Sequence, residues 1–363
     1  MLLQKTIDRV DDIVEGLPQA DWAVFDRIYR VSIALGQMRP PDTMVPWIEK
    51  RFGSVDEVTV QKIVKITNVV TWEGALFNRL RAKRPMMKRD ILAIESQIFN
   101  GDPLTDAFAN PLRDTPADSF GRVEGRYCIT ASNIAKYDGY HGVAVFKEAS
   151  PWRFGREQVV DYFETGFRWA RKGIEEDPDA RYFFFMWNCL WRAGATINHG
   201  HAQMSLSHDM HYARIEQLRQ AALAYRTRYG ASYFDDLYHI HETLGLGTRL
   251  NDVAIMAHLT PIKEKEIMLI APKPCQELWE RTYDALACLR DNLGVLSFNL
   301  ALYTPPLAPT DEDWSDFPTI VRIVDRGDPT VQPSDIGTME LYAQPVISSD
   351  PFQVASTLKL ALG

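Results

Sequence analysis

The stretch Phe183 to Leu206, FFFMWNCLWRAGATINHGHAQMSL, limits what this chain can fold into more than any other. Its first part, Phe183 to Leu190, is a dense apolar and aromatic run, short and strand-like, suited to a buried strand. Arg192, Gly194, Thr196 and Asn198 follow, small or polar residues fit for a turn where backbone approaches a ligand. In an extended strand, side chains at i, i+2 and i+4 point to one side, so His199, His201 and Gln203 share a face, with Gly200 and Ala202 behind them. Three polar side chains backed by two tiny residues suit a reactive surface better than a core. An imidazole nitrogen can attack phosphorus and split one transfer into two steps. A second imidazole and an amide can orient that nucleophile and donate to charged oxygens. A histidine pair satisfied in a core, or held by a metal, is the other reading, and HxH spacing does not choose between them.

The 363 residues allow one large or two ordinary domains with a substantial core. With 40 basic and 48 acidic residues the net charge is −8, which argues against broad nucleic-acid binding. Cys128, Cys189, Cys275 and Cys288 lack CxxC spacing and read as buried thiols of a reducing compartment. No signal-type run opens the chain and no apolar stretch reaches bilayer length, so the expectation is a cytoplasmic protein without a membrane partner.

Helical spacing marks Leu2 to Val14, and a second helix is expected where Val24, Ile28, Val31 and Leu35 recur, up to the Pro40-Pro41 break. Strand character runs from Lys62 to Asn78 and ends in Arg79-Leu80-Arg81-Ala82-Lys83-Arg84-Pro85. Such a cluster is either a solvated charge run or a phosphate site, since guanidinium forks match phosphate oxygens in bidentate fashion. Arg126 to Ser132 and Gly142 to Phe146 read as two strands around the Asp138-Gly139 turn, with His141 as a surface histidine. Arg156 to Glu175 is an amphipathic helix leading into the apolar run. A long helix is expected from His208 toward Tyr229; His208 and His211, like His239 and His241, have metal-compatible spacing but read as solvated. Strands at 251–257, 266–271, 296–302 and 317–324, with a helix at 276–292, loosely restate the first half.

Asn188, Gly194, Thr196, His199, His201 and Gln203 resemble the active-site strand of galactose-1-phosphate uridylyltransferase, the His-x-His-x-Gln branch of the histidine-triad superfamily. The resemblance implies that His201 is the residue that becomes nucleotidylated, with His199 and Gln203 beside it. Arg-Ala-Lys-Arg-Pro is similar to the family's phosphate-binding segment, which maps its two arginines onto Arg81 and Arg84. Ser132 and Asn133 are the nearest equivalents of the base- and ribose-binding loop. Gly337 to Gln344 resembles the family's sugar-binding strand and maps its hexose-binding glutamate onto Glu340, although the tyrosine before it is missing. Many members hold a structural zinc; here Ser96, Phe99 and Trp152 stand at three of its ligand positions and only His199 matches. Four ligands close such a site, so no zinc and no required cofactor are expected, with Phe99 and Trp152 packing in its place.

The fold implied is α+β, two histidine-triad-like halves with antiparallel sheets forming a half-barrel (63–232 and 233–363) after an N-terminal helical extension (1–62), in a homodimer. The activity implied is nucleotidyl transfer by double displacement, exchanging NMP between an NDP-sugar and a sugar 1-phosphate. Two alternatives remain: a dinucleoside polyphosphate, NDP-sugar or nucleotide-sulfate phosphorylase using inorganic phosphate, and a non-catalytic nucleotide-binding protein.

Overall fold

A computed structural model describes residues 5–82, 95, 106–330, 334 and 336–363. The N-terminal helices α1 (Val10–Glu15) and α2 (Gln19–Ile28) precede a long strand, β1 (Tyr29–Gln37). The helix expected to reach Leu35 therefore stops at Ile28. Val31, Ile33 and Leu35 also fit a period of two, and tertiary pairing decides: β1 runs antiparallel to β2 (Val60–Asn68), with Ile33 opposite Val64. Helices α3 (Val45–Phe52) and α4 (Val55–Thr59) bridge the two strands, the second capped by the Ser54 hydroxyl, which accepts from Glu57 N–H. After β2 comes β3 (Gly74–Asn78), then the single turn α5 (Arg79–Ala82).

The main sheet begins with β4 (Cys128–Ser132) and β5 (Tyr140–Phe146). Helix α6 (Arg156–Glu176) then crosses to β6 (Tyr182–Asn188) and β7 (His201–Ser207). Helices α7 (Ala213–Tyr229) and α8 (Tyr233–Leu244) lead to β8 (Gly247–Leu250), β9 (Val253–Ala257) and β10 (Ile267–Ala271). Helix α9 (Gln276–Ala287), β11 (Phe298–Tyr303) and β12 (Thr319–Asp325) complete it. The strand order is β4-β5-β7-β6-β11-β12-β10-β9-β8, and every described pairing within it is antiparallel. On one side of the β6–β11 contact lie β4, β5, α6, β6 and β7 in chain order, and on the other β8, β9, β10, α9, β11 and β12.

One face of this sheet packs against α6 and α9. Phe146, Phe183, Phe185, Trp187 and Met204 are buried there with Tyr162, Phe163 and Trp279 of the helices. Phe163 stacks on Trp279 at 4.4 Å, and Trp187 meets Phe146, Phe154 and Phe298 edge-on at 5.0–5.2 Å. This aromatic core forces the alternate residues of the same strands, His201, Gln203 and Ser205 on β7, onto the opposite face.

At the C-terminal end, residues 338–342 form a helical turn, α10 (Thr338–Tyr342), where a sugar-binding strand was expected. Glu340 closes the turn on itself, its Oε2 accepting from Gly337 N–H at 2.9 Å, and this local bond competes successfully with an extended backbone. The short β13 (Val346–Ile347) then joins β3 in a separate sheet ordered β1-β2-β3-β13, and α11 (Pro351–Leu362) ends the chain. Among the described residues no helix is long and apolar enough to cross a membrane.

Candidate active site

The approach to β7 is fixed by small residues and backbone bonds. After Asn188 the chain turns through Leu190, at φ +70°, and Gly194, at φ +96°; the latter is a left-handed conformation that glycine adopts without cost. Gly200 is needed for space: a Cβ there would lie 2.8 Å from the Phe146 ring and 3.2 Å from the Glu148 carbonyl. Its N–H donates to Ala149 O at 2.8 Å, and its carbonyl accepts from Phe146 N–H at 3.0 Å. The His199–His201 segment is thus clamped against the end of β5.

His199 is held at both ring nitrogens. Nε2 faces the Phe146 carbonyl at 2.8 Å and Nδ1 faces Asp106 Oδ2 at 2.7 Å. Asp106 also accepts from Phe108 N–H, which sets the Phe108 ring edge-on to both histidines, 6.0 Å from His199 and 5.2 Å from His201. His201 is buried, with 6 % of its surface exposed, and its Nδ1 lies 2.8 Å from the carbonyl of His199. A carbonyl only accepts, so Nδ1 carries the proton and Nε2 keeps its lone pair. Among the described residues Nε2 makes no hydrogen bond. Burial pushes the His201 pKa below the usual imidazole value, against the raising effect of the His199 bond, so the ring stays neutral at neutral pH.

Gln203, two residues on and on the same face, has its Oε1 2.9 Å from Nε2 of His141. His141 is fully buried, not a surface histidine. Asn133 donates its backbone N–H to the His141 carbonyl, and its amide nitrogen stands 3.1 Å from His141 Nε2; the Ser132 hydroxyl accepts from Lys136 at 2.7 Å. On the adjoining strand Asn188 Oδ1 accepts from Asn299 Nδ2 at 2.7 Å, and Asn299 reaches on to the Ala193 carbonyl at 2.8 Å, tying the turn to β11. Thr196 is exposed on that turn.

His199, His201, Gln203, Asn188, Gly194 and Thr196 are therefore grouped by β6, β7 and the turn between them, and Asn133 joins them at His141 from just beyond β4, whereas Ser132, paired with Gly142, faces α6 on the other side of the sheet. Arg81 sits on α5, directly after β3 of the smaller sheet. Arg84 lies outside the described residues, as do Ser96 and Phe99. Glu340 is on α10, beside the smaller sheet. Trp152 is buried and donates from Nε1 to Leu296 O at 2.7 Å. Of the other histidines, His208 pairs with Asp177 at 2.7 Å and His239 with Asp21 at 2.8 Å, while His211 and His241 are buried rather than solvated. Among the described residues no cluster of three His, Cys, Asp or Glu side chains is arranged to hold a metal.

No family model and no curated protein matches the sequence. Solved structures do match the fold. An ADP-glucose phosphorylase from Arabidopsis thaliana with bound ADP-glucose superposes with a TM-score of 0.59 at 14 % identity, over 81 % of this chain and 97 % of the other. A GalT-like protein from Arabidopsis thaliana gives 0.55 at 15 %, covering 69 % and 90 %, and a uridylyltransferase gives 0.55 at 13 %, covering 82 % and 97 %. At such identities the likeness is one of fold, and the fold is that of the galactose-1-phosphate uridylyltransferase-like proteins.

Proposed function

We propose that this chain is a nucleotidyltransferase that works by double displacement through a nucleotidyl-histidine at His201. The observation that carries the reading is the His201 ring: Nδ1 is bound to the His199 carbonyl, the ring is neutral, and Nε2 makes no described bond on a face shared with Gln203. In the first step Nε2 attacks the α-phosphorus of an NDP-sugar. The bond from that phosphorus to the bridging oxygen breaks, and the sugar phosphate leaves with the electron pair. In the second step a phosphate oxygen of the acceptor, a sugar 1-phosphate, attacks the same phosphorus, the P–N bond breaks, and Nε2 recovers its lone pair. Gln203 donates to a nonbridging oxygen, and Arg81 and Arg84 balance charge. Loose phosphoryl transition states depend on such positioning and charge stabilisation.

The uridylyltransferase-like fold supports this reading, and one of its structural neighbours holds ADP-glucose. The reading needs no cofactor. No structural zinc is expected in it, and the His199 nitrogens facing Asp106 and Phe146 and the Trp152 indole donating to Leu296 support that expectation. The working unit is a homodimer, as the family resemblance implies.

A second reading has its own support. Glu340 caps a helical turn instead of lining a strand, so the expected hexose contact is altered, which favours a smaller acceptor such as inorganic phosphate. Incubation with UDP-glucose, ADP-glucose or Ap4A, followed by intact-protein mass spectrometry, tests the common intermediate. A gain of one UMP or AMP that disappears in His201→Ala supports it. No gain with any donor leaves a nucleotide-binding protein without transfer activity. Chasing the adduct with glucose 1-phosphate or inorganic phosphate then separates transferase from phosphorylase.

A further inference from the structure

The backbone N–H of Tyr137 donates to Nδ1 of His141 at 3.0 Å. A backbone amide cannot reverse its role, so Nδ1 is an acceptor and the proton of the neutral ring resides on Nε2. That nitrogen lies 2.9 Å from the Gln203 side chain, and an N–H there must meet an oxygen. The Gln203 amide is thereby fixed with its oxygen toward His141 and its NH2 group turned away.

We infer that His141 is a positioning residue: through its Nε2–H it sets the Gln203 amide so that only N–H donors face a phosphate bound at His201. The inference rests on the transfer reading above for the phosphate and on geometry alone for the amide.

The layout supports it. Val143 stands directly opposite Gln203 across the β5–β7 ladder, and His141 opposite Ser205, so His141 and Gln203 share one sheet face and are diagonal neighbours. Tyr137 stacks on the His141 ring at 4.3 Å and a tilt of 27°, fixing its plane. Asn133 closes another side of the ring, its amide nitrogen 3.1 Å from Nε2 and 3.3 Å from Nδ1. Burial disfavours a charged ring and outweighs the contacts with Gln203 and the Ala135 carbonyl that favour one, and Lys136 adds to the effect, so the ring is neutral at neutral pH. A glutamine without this restraint can rotate by half a turn and present its oxygen. An amide oxygen beside a phosphate oxygen is repulsive, and the donor that stabilises the transition state is lost.

The test uses His141→Phe, which keeps a ring against Tyr137 but has no donor, and His141→Gln, whose amide nitrogen can occupy the place of Nε2. Adduct formation on the full chain is expected to slow about 10- to 100-fold in His141→Phe, bounded by the loss of the Gln203 donor itself. The defect should fall mainly on the single-turnover rate at saturating donor, with KM changing less, and His141→Gln should recover much of it. His141→Phe combined with Gln203→Ala should be no slower than Gln203→Ala alone, because the first change acts through the second residue. Additive losses, or a folded His141→Phe that transfers at the wild-type rate, would overturn the proposal. Nitrogen-15 chemical shifts of labelled histidine read the His141 tautomer without turnover: an Nε2–H signature is expected, and an Nδ1–H signature overturns the proposal. If the wild-type chain forms no adduct while the Nε2–H tautomer is present, it is the transfer reading that has failed, not the geometry.

Discussion

A buried imidazole can act as a nucleophile only while nothing protonates it, and the surroundings of His201 arrange that twice. The His199 carbonyl claims the proton on Nδ1, and desolvation lowers the affinity of Nε2 for a second one. Since the folded pKa lies below the ordinary value near 6.5, the fall in adduct formation toward acid should have its midpoint below pH 6.5. A midpoint at or above pH 6.5 would contradict this assignment. His201→Ala should give no adduct, whereas Gln203→Ala should slow its formation on the order of a hundredfold, about 3 kcal/mol, as for the loss of one oxyanion donor. Gly200→Ala forces a methyl against the Phe146 ring and should cost roughly 1–3 kcal/mol, read as a lowered melting temperature together with slower labelling. The histidines and the glutamine were legible in the sequence because they recur two residues apart, His201 and Gln203 on β7 and His199 just before it. Asp106 and His141 were not. Asp106 meets His199 across 93 positions and His141 meets Gln203 across 62, and no local period records either contact.

Secondary structure followed the sequence wherever one period dominated. Alternation and dense apolar runs marked β4, β5, β6, β9, β10 and β12, and a single apolar stripe marked α6. Two departures come from segments with two compatible readings; in addition, the strand expected over 62–78 is split into β2 and β3, and α8 was not foreseen. Val31, Ile33 and Leu35 fit either a helix or a strand, and pairing with β2 settled the matter. Residues 337–342 hold a glycine and a glutamate three apart, which lets the carboxylate bond the first N–H and close a turn. At this scale Trp187 packs near the middle of the nine-stranded sheet, touching Phe146, Phe154 and Phe298. Trp187→Ala should cost about 3–5 kcal/mol, measured by urea unfolding, through the cavity it leaves in the aromatic core.

Three buried histidines bear on the stability of the whole molecule. Burial pushes His241 down to about 3, and His258 and His211 to about 4. His241 and His258 stack at 5.5 Å, and a charge on His258 would further disfavour one on His241. In the unfolded chain these rings take up protons below about pH 6.5, while in the folded chain they remain neutral until roughly pH 4. Stability is therefore complete above pH 6.5 and declines as the pH falls, by about 2 kcal/mol per histidine at pH 5. Urea titrations at pH 7.5 and pH 5 should show this loss, and His241→Gln should blunt it if the variant folds.

The nine-stranded sheet has a last consequence. Because β6 and β11 are hydrogen-bonded neighbours, the sheet runs unbroken through its centre. A chain cut between α7 and α8 would yield two pieces, each with an unpaired ladder of amides and carbonyls whose proper complement is the other piece. Made separately they should be prone to self-association; made together they should find each other and restore the intact protein.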